Sequence, residues 1–329
     1  MSPINRRKNE ESCPSVSVIV PVKNGKEYIH EALASILLQE YEDFETLVID
    51  DGSTDFDYDT LSLIDKRIKV LHLEGLGVSC ARNYGMTLAR GDFIAFLDAD
   101  DVWFPGKLQA QISYFHANPD VGVVFGQFLR WYADSTGEFK AADLIWSDCS
   151  LLCDAEVERS GWLYTKLLMG LLVGMNTAVI RRTVYEQIGG FNESMRIGED
   201  YDFWLRASRV APMHSLSGPV ALYRIHPASA MHKIAKENHM ARLLHCGEVR
   251  WGLTNPDQTS LDRTLFQMRI ANTHFDHGYL HYWRGDKTIA RRSFLMAFLN
   301  GGRRLRSAIY YLLACGAALV PNRAKSRIT

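Results

Sequence analysis

Neither sign of charge is in excess in this chain: its 329 residues include 38 acidic and 37 basic ones, for a formal net charge of −1. Without a global positive field the protein is not drawn to nucleic acid, so we expect no nucleic-acid partner. Long hydrophobic runs are also missing. The longest, 308–320, falls short of the roughly 20 residues of a membrane-spanning helix. The polar start, 1–11, lacks the apolar core of a secretory signal, and we therefore expect a cytoplasmic protein.

Cysteine is sparse and poorly spaced for a metal site. Six cysteines occur and none forms a Cys-x-x-Cys pair; only Cys149 and Cys153 lie close together. One such pair cannot supply the four ligands of a structural zinc ion. Free thiols in a reducing compartment are therefore the expectation.

What the chain does contain is a regular alternation of apolar runs and helical periodicity. The pattern predicts strands at 16–21, 44–49, 69–73, 93–97, 121–128, 174–180 and 220–225, with helices at 28–39 and 79–89. Strands that alternate with helices at this spacing form a mostly parallel sheet with helices on both faces. The predicted fold class is therefore α/β, with a mostly parallel mixed sheet and a C-terminal helical extension.

The pattern divides the chain into a polar tail (1–14), an α/β domain (15–235), a helical extension (236–300) and a C-terminal tail (301–329). Helical spacing on both sides of 284–286 predicts a hairpin of two helices, which resembles one tetratricopeptide-like unit. The C-terminal tail has six basic residues and no acidic one around a short apolar helix. Such a segment fits peripheral contact with an anionic membrane, and equally a core helix that ends in a basic tail.

Carboxylates follow the fourth predicted strand directly. Asp98 and Asp100 lie on the same side of an extended segment. Their hard oxygen ligands suit Mn²⁺ or Mg²⁺ and would leave positions open for phosphate oxygens. A solvated acidic turn is the alternative, but ligands of such sheets bind beyond the carboxyl ends of the strands, where these residues lie. His226, after the last strand, is a further candidate ligand or else a packed or surface histidine.

Two neighbouring strands also end in polar residues. Pro21, Val22 and Asn24 end the first strand, and Asp50 and Asp51 end the second. A carboxylate there could accept a hydrogen bond from a nucleobase or a ribose hydroxyl, or it could only shape a turn. The adjacent acids do not have the D-x-D-G-T spacing of phosphohydrolases.

Two further segments could carry chemistry. The glycine-containing segment 75–83 opens a helix, and its Arg82 could bind phosphate, although an ordinary helix start is the alternative. Glu199 and Asp200 precede an amphipathic helix. A carboxylate near an acceptor hydroxyl can act as a general base, whereas acids at a helix start also stabilise the helix dipole.

These segments, in this order, closely resemble the inverting glycosyltransferase family 2, which has the GT-A fold. The matching segments are 17–22 with Asn24-Gly25, 48–55, 77–83, 96–101 and 198–200. The resemblance covers about Ser15 to Pro227, roughly two thirds of the chain. It implies a bacterial-type enzyme in which an acceptor hydroxyl displaces the nucleoside diphosphate from a sugar and inverts the anomeric carbon.

The resemblance also implies a role for each nucleotide-binding residue. Pro21, Val22 and Asp51 would line the nucleobase pocket, with Asn24 and Asp50 beside them. UDP is the expected nucleotide, although other nucleotides remain open.

For the reaction centre, the resemblance implies that Arg82 faces the diphosphate and that Asp98 holds the ribose or sugar side. Asp100 would bind the divalent cation, Mn²⁺ or Mg²⁺, together with Asp98 and with His226 as a further ligand. Asp200 would be the catalytic base, and Glu199 would orient the acceptor.

The expected acceptor is a glycan or a lipid-linked precursor in cell-surface polysaccharide synthesis. No Q-x-x-R-W motif follows Asp200, which indicates transfer of one sugar rather than polymerisation. One alternative is a sugar-phosphate nucleotidyltransferase, which would need a glycine-rich loop where 21–25 has one glycine. The other is a non-catalytic nucleotide-sugar-binding scaffold, whose mark would be the loss of Asp98, Asp100 or Asp200.

Overall fold

The computed structural model describes residues 13–146, 154–170, 172–226, 234–301 and 303–319. The chain forms two compact units, each with its own core. The first unit comprises Met1–Gly161, Val173–Glu199 and Arg206–Ile225, and the second comprises Trp162–Leu172, Asp200–Leu205 and His226–Thr329. The cysteine pair at 149 and 153 lies outside the described residues, and the four cysteines that are described have free thiols.

The first unit is built on one sheet of nine strands among the described residues. The strands are β1 (Val16–Val22), β2 (Phe44–Asp50), β3 (Ile68–His72), β4 (Phe93–Phe96), β5 (Val102–Trp103), β6 (Val123–Tyr132), β7 (Ala155–Gly161), β8 (Val179–Arg181) and β9 (Met213–Ile225). Their order is β3-β2-β1-β4-β8-β6-β9-β5, and β7 pairs with β9. The strands β1 to β4 are mutually parallel, while β8, β5 and β7 pair antiparallel with their neighbours. The predicted α/β fold with a mixed sheet is confirmed.

Helices surround the sheet in the first unit and make up most of the second. They are α1 (Ile29–Leu37), α2 (Val78–Leu88), α3 (Lys107–Ala117), α4 (Ala142–Trp146), α5 (Tyr164–Met169), α6 (Arg182–Ile188), α7 (Glu199–Ala207), α8 (His239–Trp251), α9 (Arg263–Arg284), α10 (Lys287–Leu299) and α11 (Arg304–Leu319). Short 3-10 turns occur at Tyr58–Leu63 and Met175–Thr177. No helix in the described ranges is both long and apolar enough to cross a membrane.

The sequence of β1 explains its central place in the sheet. All seven residues of β1 are buried, and so are all seven of β2. The near-continuous apolar run of β1 suits a parallel strand that is covered on both faces. The crossover helices α1 and α2 make the parallel connections possible, because parallel strands cannot be joined by a tight turn.

The strand register brings the predicted site residues to one edge. Val22 pairs with Asp50 across β1 and β2, and Ile19 pairs with Phe96 across β1 and β4. The chain therefore leaves β1, β2 and β4 on the same side of the sheet. This is the carboxyl edge, where open α/β sheets bind ligands.

Three predicted strands differ from the structure. The segment 174–180 is not one strand, because Thr177 donates its N–H and its hydroxyl to the Gly174 carbonyl and closes a 3-10 turn before β8. The strands β6 and β9 are both longer than predicted. They pair with each other along most of their length across a bulge, and this long-range partner extends both strands beyond the apolar pattern.

The second unit contains the predicted helical hairpin. The helices α9 and α10 turn at Gly285-Asp286, where the Asp286 side chain accepts hydrogen bonds from the N–H groups of Thr288 and Ile289 and caps α10. Aspartate is a preferred residue at this position because it satisfies N–H groups that have no partner within the helix. The hairpin and α11 share a small core of Phe275, Ala290, Phe294, Ala297 and Ala314.

Candidate functional site

The turns after β1 and β2 are tied to each other by side-chain hydrogen bonds. The Asn24 N–H donates to Ser53 Oγ at 2.8 Å, and the Thr54 N–H donates to Asn24 Oδ1 at 2.9 Å. Asn24 has φ +52°, a left-handed conformation that asparagine tolerates better than most residues. Pro21 and Val22 are buried at the end of β1, whereas Asn24 is exposed beyond it. The edge predicted to hold a nucleobase is therefore a fixed double turn.

Both acids at the end of β2 hold backbone in place. Asp50 accepts from the Ser53 N–H at 2.9 Å and contacts His72 Nδ1 at 3.0 Å. Burial raises the pKa of Asp50, but the hydrogen bonds from Ser53 and His72 outweigh burial and leave this pKa below its usual value. Asp50 thus has the turn-shaping role that the sequence left open. The contact of Asp50 with a nucleobase stays a prediction.

Asp51 fixes the glycine-containing segment before α2. Its two carboxylate oxygens accept from the N–H groups of Leu76 at 2.7 Å and Gly77 at 2.9 Å. Lys23 Nζ lies 3.9 Å from the same carboxylate. A carboxylate that accepts backbone N–H groups at a helix start is a strong charge-assisted contact. Asp51 therefore couples the end of β2 to the start of α2.

Arg82, on α2, joins candidate acids from two distant segments. Its buried guanidinium donates from Nη2 to Asp98 Oδ1 at 2.7 Å and from Nη1 to Glu199 Oε1 at 3.3 Å. The guanidinium also lies 5.4 Å from the centre of the Phe191 ring. Glu199 is 117 residues away along the chain, so no local pattern indicated this contact. The structure therefore brings Arg82, Asp98 and Glu199 together.

Asn83, next to Arg82, fixes the chain that leads to α7. Its amide accepts from the Phe191 N–H at 2.7 Å and donates to the Phe191 carbonyl at 2.9 Å and to Glu193 at 2.8 Å. A Cβ atom at Gly190 would lie only 2.3 Å from Asn83 Oδ1, so this close approach requires glycine. The helix α2 thus positions both the guanidinium and the approach to Glu199.

The third acid after β4, Asp101, is buried and organises the strand end. It is 1% exposed, and it accepts from Asn176 Nδ2 at 2.7 Å and from the Arg224 N–H at 3.0 Å. Burial, followed by the charges of Asp100 and Asp98, raises the pKa of Asp101 well above its usual value. Asp101 therefore holds the side chain of Asn176 and the backbone of β9 against the end of β4.

Arg224, on β9, is a residue of this edge that the sequence analysis missed. Its Nε donates to the Asp100 carbonyl at 2.8 Å, and its guanidinium pairs with Glu31. The guanidinium also lies 3.9 Å from the centre of the Trp131 ring, a close cation–π contact. The available signal was a single arginine in the predicted strand 220–225, but its partners come from α1, β6 and the chain after β4.

The acids that follow β4 are the candidate ligands of a divalent cation. Among the described residues, no group of three or more His, Cys, Asp or Glu side chains is arranged to hold a metal ion. Mg²⁺, however, is commonly held by one or two carboxylates while substrate phosphates complete the shell. Asp98 and Asp100 offer two carboxylates of this kind. Their chemistry fits the cation, and their role as ligands stays a prediction.

Asp200 and His226 belong to the second unit. Asp200 is the residue after Glu199 in α7, and His226 follows the end of β9. Their predicted roles as catalytic base and metal ligand stay predictions.

The sequence of this chain is similar to those of known glycosyltransferases. Residues 17–151 match the sequence profile of glycosyl transferase family 2. An uncharacterized glycosyltransferase of Rickettsia felis is 31% identical over 237 residues, which are 70% of this chain but 38% of that protein. An Escherichia coli protein, the UDP-Glc:alpha-D-GlcNAc-diphosphoundecaprenol beta-1,3-glucosyltransferase, is 34% identical over 193 residues, which are 58% of this chain and 68% of that protein.

Solved structures share the fold at lower identity. Residues 1–349 of S. aureus TarS in complex with UDP superpose with a TM-score of 0.58 at 19% identity, covering 92% of this chain and 91% of that one. The mannosyltransferase PcManGT from Pyrobaculum calidifontis, in complex with GDP-Man and Mn²⁺, has a TM-score of 0.56 at 21% identity, covering 93% and 80%. At this identity the likeness concerns the fold.

Proposed function

This chain belongs to glycosyl transferase family 2, and on that premise we propose that it transfers a single sugar from a nucleotide-diphosphate sugar to a hydroxyl of a glycan or lipid-linked acceptor. The observation that carries the proposal is the buried Arg82, which holds Asp98 at the end of β4 and Glu199 at the start of α7 in one place. The acids whose loss would mark a scaffold, Asp98, Asp100 and Asp200, are all present.

The donor we propose is a UDP-sugar. The E. coli relative is named for UDP-Glc, and TarS binds UDP, whereas the Pyrobaculum protein binds GDP-Man. The turns after β1 and β2 would receive the nucleobase, with Pro21, Val22 and Asn24 on one side and Asp50 and Asp51 behind. The identity of the sugar and of the nucleotide would follow from which nucleotide sugars stabilise the protein against unfolding.

In the proposed reaction, Asp200 accepts the proton of the acceptor hydroxyl as the oxygen attacks the anomeric carbon. The bond from that carbon to the diphosphate oxygen breaks on the opposite side, so the configuration inverts and the nucleoside diphosphate leaves. Glu199, whose carboxylate accepts from Arg82 Nη1, would orient the acceptor. A positioned general base of this kind contributes roughly 10²- to 10⁴-fold to the rate.

Asp98 and Asp100 would hold Mn²⁺ or Mg²⁺, with His226 as a further ligand. Such a cation, when bound, offsets the charge that develops on the departing diphosphate. Arg82 contributes in the protein itself, because its guanidinium keeps the Asp98 carboxylate fixed. The Pyrobaculum neighbour, solved with Mn²⁺, supports this choice of cation.

We further propose an acceptor at the inner face of the cell membrane. The E. coli relative is named for a lipid-linked acceptor, a diphosphoundecaprenol, which supports a role in cell-surface polysaccharide synthesis. Residues 301–329 carry basic side chains and no acidic one, which suits peripheral contact with that surface.

The test is a thermal-unfolding panel of UDP-, GDP- and dTDP-sugars with and without Mn²⁺. A donor at 100 times its Kd should add about 2.7 kcal/mol to the free energy of unfolding, and only when Mn²⁺ is present. The variant Asp98→Asn/Asp100→Asn should lose the part of the shift that depends on Mn²⁺. Stabilisation by no nucleotide sugar, or an undiminished metal-dependent shift in that variant, would refute the proposal.

The product separates this function from a nucleotidyltransferase. Sugar transfer releases a nucleoside diphosphate, whereas a nucleotidyltransferase joins a sugar phosphate to a nucleoside triphosphate and releases pyrophosphate. Chromatography of the reaction mixture distinguishes the two, and release of pyrophosphate would favour the alternative.

A further inference from the structure

The helix α11 presents apolar side chains where a helix on a soluble domain usually presents polar ones. Leu305 is 76% exposed and Leu312 is 68% exposed, and Ile309 and Leu313 are exposed as well. Their spacing of four, seven and eight residues places all four side chains on one face of the helix. We call these four residues the α11 stripe.

The orientation of α11 is fixed by the packing of its other face. Ser307 and Ala314 are buried, and the Tyr310 ring packs against the rings of Phe294 and Phe275 with centroids 5.3 and 5.8 Å apart. The helix is thus held in the core of the second unit. The α11 stripe points away from that core, and its four side chains are exposed in the part of the chain that the structure describes.

The helices that pack with α11 also expose large apolar side chains. These are Tyr279, Leu280 and Trp283 on α9 and Leu295, Met296, Phe298 and Leu299 on α10. Soluble monomers rarely leave extensive apolar surface in water, and such surface marks sites of contact with proteins or membranes. The exposed tryptophan and tyrosine are residue types that favour the interface between membrane and water.

Charge identifies which surface would cover the α11 stripe. The sequence from 263 to 319 has nine basic and two acidic residues, although the whole chain has a net charge of −1. Arg304 and Arg306 are exposed on α11 itself, and the neighbouring Arg303 pairs with Asp276 at 3.6 Å. A second copy of this surface would meet it with the same positive charge. A nucleic acid would offer no apolar surface for the leucines, whereas an anionic bilayer offers both.

We propose that the α11 stripe, with Arg304 and Arg306, docks the protein onto an anionic phospholipid surface. The apolar side chains enter the boundary between head groups and acyl chains, while the guanidinium groups contact the lipid phosphates. This inference assigns to particular residues the membrane contact proposed above, and it does not depend on the donor or the reaction.

Vesicle flotation of the full chain, without nucleotide sugar, tests the docking. The protein should float with vesicles of phosphatidylcholine and phosphatidylglycerol and stay behind with phosphatidylcholine alone. Leu305→Glu/Leu312→Glu should weaken partitioning at least about 100-fold, because the bound protein would no longer bury these two leucine side chains in the bilayer. The control Leu63→Glu, at an 85% exposed leucine of the first unit, should float like the original chain.

The charge contribution is tested by Arg304→Gln/Arg306→Gln. This variant should partition about 30-fold more weakly, since each basic residue near an anionic surface is worth about 1 kcal/mol. The control Lys26→Gln/Lys66→Gln removes two exposed lysines of the first unit and should change nothing. All of these positions are exposed, and circular dichroism with thermal unfolding verifies that each variant folds.

The inference would be overturned by no flotation with anionic vesicles, by equal flotation with neutral ones, or by undiminished flotation of Leu305→Glu/Leu312→Glu. A concentration-dependent dimer that this variant abolishes would assign the α11 stripe to a contact between copies. Nucleotide-sugar turnover is measured separately on a water-soluble acceptor. Loss of one result with retention of the other therefore distinguishes a failure of docking from a failure of the proposed function.

Discussion

The buried arginines of the first unit contrast with the exposed arginines of α11 in the second. In the first unit, Arg82 and Arg224 are buried and bound to Asp98, Glu199 and Glu31. On α11 of the second unit, Arg304 and Arg306 are exposed, and Leu305 and Leu312 lie exposed beside them. Fixed charges suit chemistry at a defined point, and uncovered apolar surface suits attachment. The comparison therefore contrasts the fixed charges around Arg82 with the exposed surface of α11.

The first unit buries even a lysine. Lys107 is fully buried, donates to Gln111 Oε1 at 2.8 Å and lies 4.0 Å from the centre of the Trp103 ring. Burial lowers the pKa of Lys107 well below its usual value. Gln111 in turn donates to the carbonyls of Val124 and Thr177. This network ties α3 to the 3-10 turn whose Asn176 binds Asp101.

The largest effect should come from the acid that follows Glu199. Asp200→Asn removes the proposed base, so kcat should fall by roughly 10²- to 10⁴-fold while the Kd for the nucleotide sugar stays unchanged. The matched control is Asp202→Asn on the same helix, which should retain transfer. Turnover by Asp200→Asn at the original rate would remove Asp200 as the base and break the assignment of chemistry to this helix.

Arg82→Met should cause the largest loss of stability. It leaves the carboxylates of Asp98 and Glu199 without their buried cation, and breaking a buried pair by removing one partner costs about 3–5 kcal/mol. Urea unfolding measures the change. The comparison predicts a much smaller effect for Arg306→Met in the second unit, because that side chain is exposed. Equal losses of stability for the two variants would contradict this difference between the buried and the exposed arginine.

Two glycines should respond in opposite directions. Gly190→Ala forces a Cβ against the Asn83 amide and should destabilise the first unit by about 1–3 kcal/mol, the usual cost of overpacking. Gly316→Ala, on α11, places its Cβ in open space and should stabilise the helix by about 0.5–1 kcal/mol. Thermal unfolding of both variants gives the signs. A stabilising Gly190→Ala would show that Asn83 is free to move.

The smallest expected effect is that of pH on the free energy of unfolding, and its sign should differ between histidines of the two units. Hydrogen bonds with Asp59 and then Asp50 raise the pKa of His72, so its contribution is complete below the unfolded pKa and is lost as pH rises through the raised value. Burial lowers the pKa values of His274 and His277, so the second unit should instead lose stability as pH falls below the unfolded value of about 6.5.

Urea unfolding at several pH values between 5 and 8 measures these slopes. His72→Gln should reduce the loss on raising the pH, and His277→Gln should reduce the loss on lowering it. The same sign for both histidines would contradict the opposite environments that the structure gives them.

The parallel half of the sheet could be predicted because its information is local. The strands β1 to β4 are short apolar runs separated by helical periodicity, and each lies within one or two residues of its predicted bounds. The two-residue strand β5 and the full length of β6 and β9 could not be predicted in this way. They depend on pairing between segments that lie about 90 or more residues apart, as between Val123 and Met213.

The site residues follow the same rule. The motif residues at the strand ends could be named from the sequence, because polar residues directly after buried strands are a local signal. The partners of these residues could not be named from the sequence. The contacts of Arg82 with Glu199, of Asn176 with Asp101 and of Arg224 with Asp100 each join segments that only the complete fold brings together.

The double turn formed by Asn24, Ser53 and Thr54 has a consequence for affinity. Its backbone is held by hydrogen bonds between the two turns within the folded chain. Fixing a residue's backbone costs about 1–2 kcal/mol of conformational entropy, and here folding has already incurred that cost. A nucleotide that binds at this edge does not have to order the turns itself. Contacts made there therefore contribute more fully to the binding free energy than equal contacts to a loose loop.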